Sequence, residues 1–213
     1  MKTPIICFEG PSGVGKTTLA QMLSGDFNII PEVNQLFERS ENEHEYWYYE
    51  RQLERYTIAK NANKPTIFDG DIFQPIWYNW VCNYPANFLG NKETHAWYKA
   101  KIEQGLIKFP NLYIIFDTNE KDLRTRKEND TTRTRRNFEK HLKIIAPLRR
   151  YYKFLEKETT LQMRFIQYDD FDSTKQQVLD AIKKLEIKSI DDQMVFSKID
   201  NWINQSTPDI GLS

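Results

Sequence analysis

The chain is short of most features that direct a protein toward a large partner. Lysine plus arginine and aspartate plus glutamate number 30 each in 213 residues, so the formal net charge is zero. No global field draws such a chain to nucleic acid or to a membrane surface, and any charged ligand must be recognised locally. The two cysteines, Cys7 and Cys82, have no paired spacing, which excludes a disulfide framework and leads us to expect reduced thiols in a cytoplasmic protein. The three histidines, His44, His95 and His141, are scattered without metal-ligand spacing. No apolar run is long enough to cross a bilayer. The opening run from Pro4 to Phe8 is cut at Glu9, too soon for the apolar core of a signal peptide. There is no internal repeat, low-complexity tract or linker. What remains is one enzyme-sized unit with length enough for a substantial core.

Glycine is also scarce, at eight residues, yet three of them fall between Gly10 and Gly15. The stretch Gly10-Pro11-Ser12-Gly13-Val14-Gly15-Lys16-Thr17 fits G-x-x-x-x-G-K-[ST]. It follows an apolar strand-like run and precedes Thr18 and the helix-like Leu19 to Leu23, which is the context the motif requires. Glycines there allow backbone conformations in which successive N–H groups converge on phosphate oxygens, and the following helix adds its positive end. Lys16 is expected to reach the β- and γ-phosphates of a bound triphosphate, and the Thr17 hydroxyl to ligate Mg²⁺.

Further along, Asn28 to Pro31 reads as a second strand that delivers Glu32 at its C-terminal end. A helical pattern spans Ser40 to Ala62. Thr66 to Phe68 is a third strand leading into Asp69-Gly70-Asp71. Pro75 and Pro85 break the aromatic-rich stretch from Ile72 to Lys108 into separate helices. Leu112 to Phe116 is a fourth strand ending at Asp117, followed by a helix over Glu120 to Lys127, capped by Thr118 or Asn119, and a polar loop from Glu128 to Thr134. A helical pattern from Arg135 to Leu155 carries Pro147, which kinks it or starts a new helix. Met163 to Tyr168 is a fifth strand, and Asp172 or Ser173 caps the helix after it. Alternation of strands and helices predicts an α/β fold with a five-stranded parallel sheet covered on both faces. Residues 1–185 form the main domain, and 186–213 a helical extension and tail.

A guanine-specific switch would carry Asn-Lys-x-Asp after a strand, whereas Asn119-Glu120-Lys121-Asp122 has the lysine misplaced. On the loop at residues 10–18, Pro31-Glu32, Asp69-Gly70-Asp71 and the arginines after the fourth strand, residues 1–185 resemble the nucleoside and nucleotide kinases of the phosphate-loop class. That group holds the deoxynucleoside kinases and thymidylate kinase. The resemblance implies a three-layer P-loop NTPase fold, ATP and Mg²⁺ as cofactors, and transfer of the γ-phosphoryl group to a small-molecule acceptor, a nucleoside or nucleotide first. It implies no nucleic-acid or membrane partner and allows a homodimer. A kinase of another hydroxylated metabolite or antibiotic is the alternative within the class. An ATP-dependent switch or binding module is the alternative outside it.

Such kinases act by positioning and charge neutralisation. Lys16 and the loop hold the triphosphate. Glu32 matches the strand-end glutamate that orients the acceptor hydroxyl and accepts its proton. Asp69 is the Walker-B-like carboxylate that holds Mg²⁺ with Thr17. The deoxynucleoside kinases carry Glu-Arg-Ser there, so Asp69-Gly70-Asp71 lacks their arginine. Asp71 is a second metal contact, an acceptor-orienting group or a helix cap. Arg124, Arg126, Arg133, Arg135 and Arg136 make a lid over about 124–136, of which two or three reach the γ-phosphate on closure. The acceptor is expected among Trp47, Tyr48, Gln52, Phe73 and Trp77, whose rings and amide suit a planar or glycosidic ligand.

Overall fold

The computed structural model describes residues 3–39, 43–82, 89–129 and 138–208. Five short runs, apolar for the most part, become the strands β1 (Ile5–Glu9), β2 (Asn28–Ile30), β3 (Thr66–Asp69), β4 (Leu112–Asp117) and β5 (Gln162–Gln167). All neighbouring pairs are parallel, in the order β2-β3-β1-β4-β5. The expected α/β sheet is the one observed. β1 is central, so the Gly10 to Thr17 loop leaves the C-terminal edge of the sheet at its middle, where the ligands of open α/β sheets lie.

Side chains alternate between the two faces of the sheet with the period of two that strands impose. Cys7, Phe68, Tyr113, Ile115 and Met163 face one core, and Ile6, Phe8, Ile67, Ile114, Phe116 and Ile166 the other. The first core is closed by α3 (Trp47–Lys60), α4 (Gln74–Cys82), α5 (Asn91–Glu103), α8 (Ile145–Glu158) and α10 (Asp192–Gln205). The second is closed by α1 (Lys16–Met22), α6 (Glu120–Asn129), α7 (Phe138–Lys143) and α9 (Phe171–Lys183). Burying both faces stabilises at about 25 cal/mol for each Å² of apolar surface removed from water.

Several boundaries differ from the sequence expectations for local reasons. The helix expected from Ser40 begins at Trp47, and a short helix, α2 (Val33–Leu36), follows Glu32 where none was expected. Pro75 does not interrupt a helix but stands in the first turn of α4, where the missing N–H has no intrahelical acceptor to lose. Pro147 likewise lies in the first turn of α8, so the Arg135 to Leu155 pattern is divided at Ile144. The cap of α9 is Asp170, whose side chain accepts from Ser173 N, rather than Asp172 or Ser173. Asn119 caps the start of α6 by accepting from Asp122 N at 2.9 Å, as expected. Pro85 and most of the polar loop from Glu128 to Thr134 lie outside the described residues.

The C-terminal helix α10 buries Val195, Phe196, Ile199 and Ile203 in the first core. Polar bonds pin it at both ends and in the middle. Asp192 accepts from Phe109 N at 2.8 Å, Asp200 pairs with His95 Nδ1 at 2.5 Å, and Trp80 Nε1 donates to Ser206 O at 2.8 Å.

Candidate active site

The sheet's C-terminal edge opens into a cavity of about 1130 Å³. Every residue from Gly10 to Thr18 lines it, together with Glu9, Glu32, Gln35, Gln74, Trp77, Tyr78 and Arg126. Gly10 takes φ +151°, and a Cβ there would stand 2.6 Å from the Phe116 carbonyl oxygen. The loop can therefore cross close to β4 only with glycine at this point. Lys16 opens α1 and is buried. Its ammonium donates to the carbonyls of Gly10 at 2.8 Å and Pro11 at 3.4 Å, which holds the charge inside the curl of the loop.

Thr17 donates to Asp69 Oδ2 at 2.6 Å, and Asp69 Oδ1 is buried with no partner among the described residues. A hydroxyl and a carboxylate side by side, with one carboxylate oxygen unsatisfied, are a hard-oxygen donor set of the kind Mg²⁺ takes. The residues present fit that ion.

Beneath this pair runs a buried polar layer that joins β1 to β3. Glu9 accepts from Gly10 N at 2.8 Å and from Asp71 N at 2.9 Å, so one carboxylate ties the loop to the turn after β3. Burial pushes its pKa up to about 7, against the opposing pull of Lys16 and the two N–H donors. Asp71 accepts from Phe73 N at 3.0 Å, Tyr152 Oη at 2.8 Å and Tyr113 Oη at 3.4 Å. Burial raises it to about 6, against the N–H of Phe73, the two hydroxyls and Arg55. Arg55 is the counter-charge. Its guanidinium is fully buried and donates to Gln52 Oε1 at 2.6 Å, Asp69 O at 2.8 Å and Gly70 O at 2.9 Å.

The expected site residues separate into three groups. The loop residues 10–18, Glu32, Asp69 and Trp77 are brought together, Asp69 through Thr17. Trp47, Tyr48, Gln52, Asp71 and Phe73 do not line the cavity. Phe73 is stacked on Phe109 at 4.1 Å between centroids, in the core. Gln52 and Asp71 belong to the buried layer just described, Trp47 lies under the Arg39 guanidinium, and Tyr48 stands one bond back, donating to Gln74 Oε1 at 2.9 Å. The aromatic-rich segments are mostly core because large rings are the residues a two-faced sheet most readily buries.

The lid arginines divide as well. Arg124 is turned away from the cavity and joins α6 to α7 through a two-pronged pair with Glu139, with Glu120 as a further partner. Arg126 lines the cavity but at the far side of the loop, donating to Val14 O at 2.8 Å with its guanidinium 4.0 Å above the Tyr168 ring. Arg133, Arg135 and Arg136 lie outside the described residues.

The architecture is shared with solved structures. Thymidylate kinase from Candida albicans superposes with a TM-score of 0.55 at 16% identity, over 89% of this chain and 97% of that one. It has the thymidylate kinase fold. Thymidylate kinase from Ehrlichia chaffeensis matches with a TM-score of 0.53 at 14% identity, over 86% of this chain and all of that one. No protein-family model and no curated protein matches the sequence. Within the thymidylate kinase fold, residues that sequence reasoning missed are Glu9, Arg55, Gln35, Gln74 and Tyr168. Glu9 was visible as a charge closing an apolar strand. Arg55 shares a helical stripe with Tyr49, Tyr56 and Ala59, the pattern of an arginine facing inward.

Proposed function

We propose that the protein is a small-molecule kinase that moves the γ-phosphoryl group of ATP to a hydroxyl or phosphate acceptor, a nucleoside or nucleotide in the first place. The observation that carries this reading is one continuous cavity with a Gly-rich loop, Lys16 and the Thr17–Asp69 pair at one side and Glu32, Gln74 and Trp77 at the other. A phosphoryl donor and an acceptor fit side by side in such a space. The thymidylate kinase fold supports the reading in general terms.

The chain's residues divide the work. The loop from Gly10 to Thr18 wraps the triphosphate, and Lys16, already held at the loop's inner side, supplies a fixed positive charge to the transferring group. Thr17 and Asp69 would hold Mg²⁺, which supplies charge neutralisation at the phosphate oxygens. Glu32, at the N-cap of α2 and on the cavity wall, accepts a hydrogen bond from the acceptor hydroxyl, aims its oxygen and takes its proton late in transfer. Arg126 and Tyr168 close the donor side beyond the loop.

The test is direct. The full chain is incubated with ATP, Mg²⁺ and a panel of nucleosides, nucleotides and aminoglycosides, and products are read by mass spectrometry for one added phosphoryl group. Transfer that disappears in Lys16→Met supports the reading. Hydrolysis of ATP that no acceptor alters rejects it.

A further inference from the structure

We infer that the acceptor side of the cavity takes a hydroxyl carried by a neutral or positively charged molecule with an apolar or planar body, and rejects phosphate esters. This rests on the kinase reading above and narrows its substrate class. Among the described residues, the two cations that line the cavity, Lys16 and Arg126, both stand on the donor side. Lys16 is bound into the loop carbonyls, and Arg126 is held on Val14 O over Tyr168. The acceptor side presents the Glu32 carboxylate, the amides of Gln35 and Gln74, and an apolar wall of Trp77, Ile144 and Leu148.

Glu32 also packs against the turn after β3. Gly70 stands between Asp69 and Asp71 with φ +86°, and a Cβ added there would lie 3.3 Å from Glu32 Cγ and 3.5 Å from its Oε1. A side chain at position 70 would be strained by this backbone and would press on Glu32. The guanidinium nearest that turn, Arg55, is spent on Gln52 and on the carbonyls of Asp69 and Gly70. Arg39 and Arg51, from the segments that follow Glu32, are paired with Glu43 and Glu54.

A phosphate dianion on this side would therefore meet a carboxylate with its counter-charges already engaged, and like charges brought together in a partly dry cleft are disfavoured. A hydroxyl can donate to Glu32, and an ammonium beside that hydroxyl makes a charge-assisted bond to the same group. Unphosphorylated nucleosides and aminated glycosides fit this description; nucleoside monophosphates do not.

The experiment has a catalytic arm and a binding arm, both on the whole chain. In the first, kcat/KM is measured with ATP and Mg²⁺ for nucleosides, for an aminoglycoside and for the matching nucleoside 5′-monophosphates. In the second, the same compounds are titrated calorimetrically with a non-hydrolysable ATP analogue present. We expect a neutral or aminated acceptor to exceed the matching monophosphate by about tenfold or more in both arms. In Glu32→Gln the monophosphate should bind about tenfold more tightly than to the wild type. A monophosphate that is the better acceptor or ligand overturns the inference, as does an unchanged affinity in Glu32→Gln or failure of every neutral and aminated compound to bind. Absence of transfer to every compound defeats the kinase reading instead, and the binding arm then still upholds or overturns the charge preference.

Discussion

Arg55→Met removes the one guanidinium among the described residues that holds the turn after β3 from below, with little change in side-chain length. The wild-type group donates three hydrogen bonds, at 2.6, 2.8 and 2.9 Å, and lies over the Phe68 ring at 5.3 Å. Burial lowers its pKa, an effect that the surrounding acidic groups oppose. Its removal leaves two buried carbonyls and an amide oxygen without a donor, and takes the counter-charge from a layer that also contains Glu9 and Asp71. Hydrogen bonds to a charged group are each worth about 1.5–3 kcal/mol, and removing one side of a buried charge pair costs about 3–5 kcal/mol. The losses overlap, and the arginine's own desolvation penalty is relieved, so we expect a net loss of about 3–5 kcal/mol. For a chain of this size each kcal/mol lowers the melting temperature by about 2–4 °C, which predicts a fall of about 10 °C. Arg55→Lys should recover little, because an ammonium cannot reproduce the planar fork. Thermal unfolding of the two variants followed by circular dichroism measures the loss. A melting temperature within about 2 °C of the wild type in Arg55→Met would show that this layer does not support the turn.

Three further outcomes are expected. Glu9 and Asp71 have folded-state pKa values raised to about 7 and about 6 from ordinary values of 4.5 and 3.8. The folded protein thus keeps protons that the unfolded chain has released. Their stabilising contribution is complete below about pH 4 and is lost progressively as pH rises from there to the folded values, about 6 for Asp71 and about 7 for Glu9, at about 1.4 kcal/mol per unit for each group; urea midpoints at pH 5 and pH 8 should differ less in Glu9→Gln than in the wild type, and an identical difference refutes the assignment. Glu32→Gln should lower kcat far more than it weakens ATP binding, since the group faces the acceptor; unchanged turnover in steady-state kinetics would remove it from the reaction. Gly10→Ala forces a Cβ against the Phe116 carbonyl at 2.6 Å, so it should weaken nucleotide binding by at least about tenfold in calorimetry, and wild-type affinity would mean that the loop does not need its close approach to β4.

The parts of the fold legible in the sequence were those with local causes. A strand, a glycine-dense turn and a helix in succession are specified within about twenty residues by motif and periodicity together, and the five strands followed from runs that are apolar for the most part. The acceptor wall was harder to read. Trp77 and Phe73 are both aromatic and only four residues apart, but one lines the cavity and the other stacks on Phe109. That choice is made by packing between α4, α5 and the sheet, which leaves no trace in spacing. The arginines after β4 show the same limit from the polar side. Their density was plain, but whether a guanidinium turns to a ligand or to a neighbouring glutamate, as Arg124 does with Glu139, depends on where α7 comes to rest.

The sheet's central strand is made first and completed late. Ile5 to Phe8 pair on one side with Thr66 to Asp69, and Ile6 to Glu9 on the other with Leu112 to Ile115. During synthesis the segment that ends in the phosphate loop therefore waits for partners far downstream, with both its backbone edges open. Contacts of such long sequence separation slow folding. Chains stalled before β3 emerges should present β1 as an unpaired apolar strand, and those stalled between β3 and β4 should still leave one of its edges open to chaperones and to association.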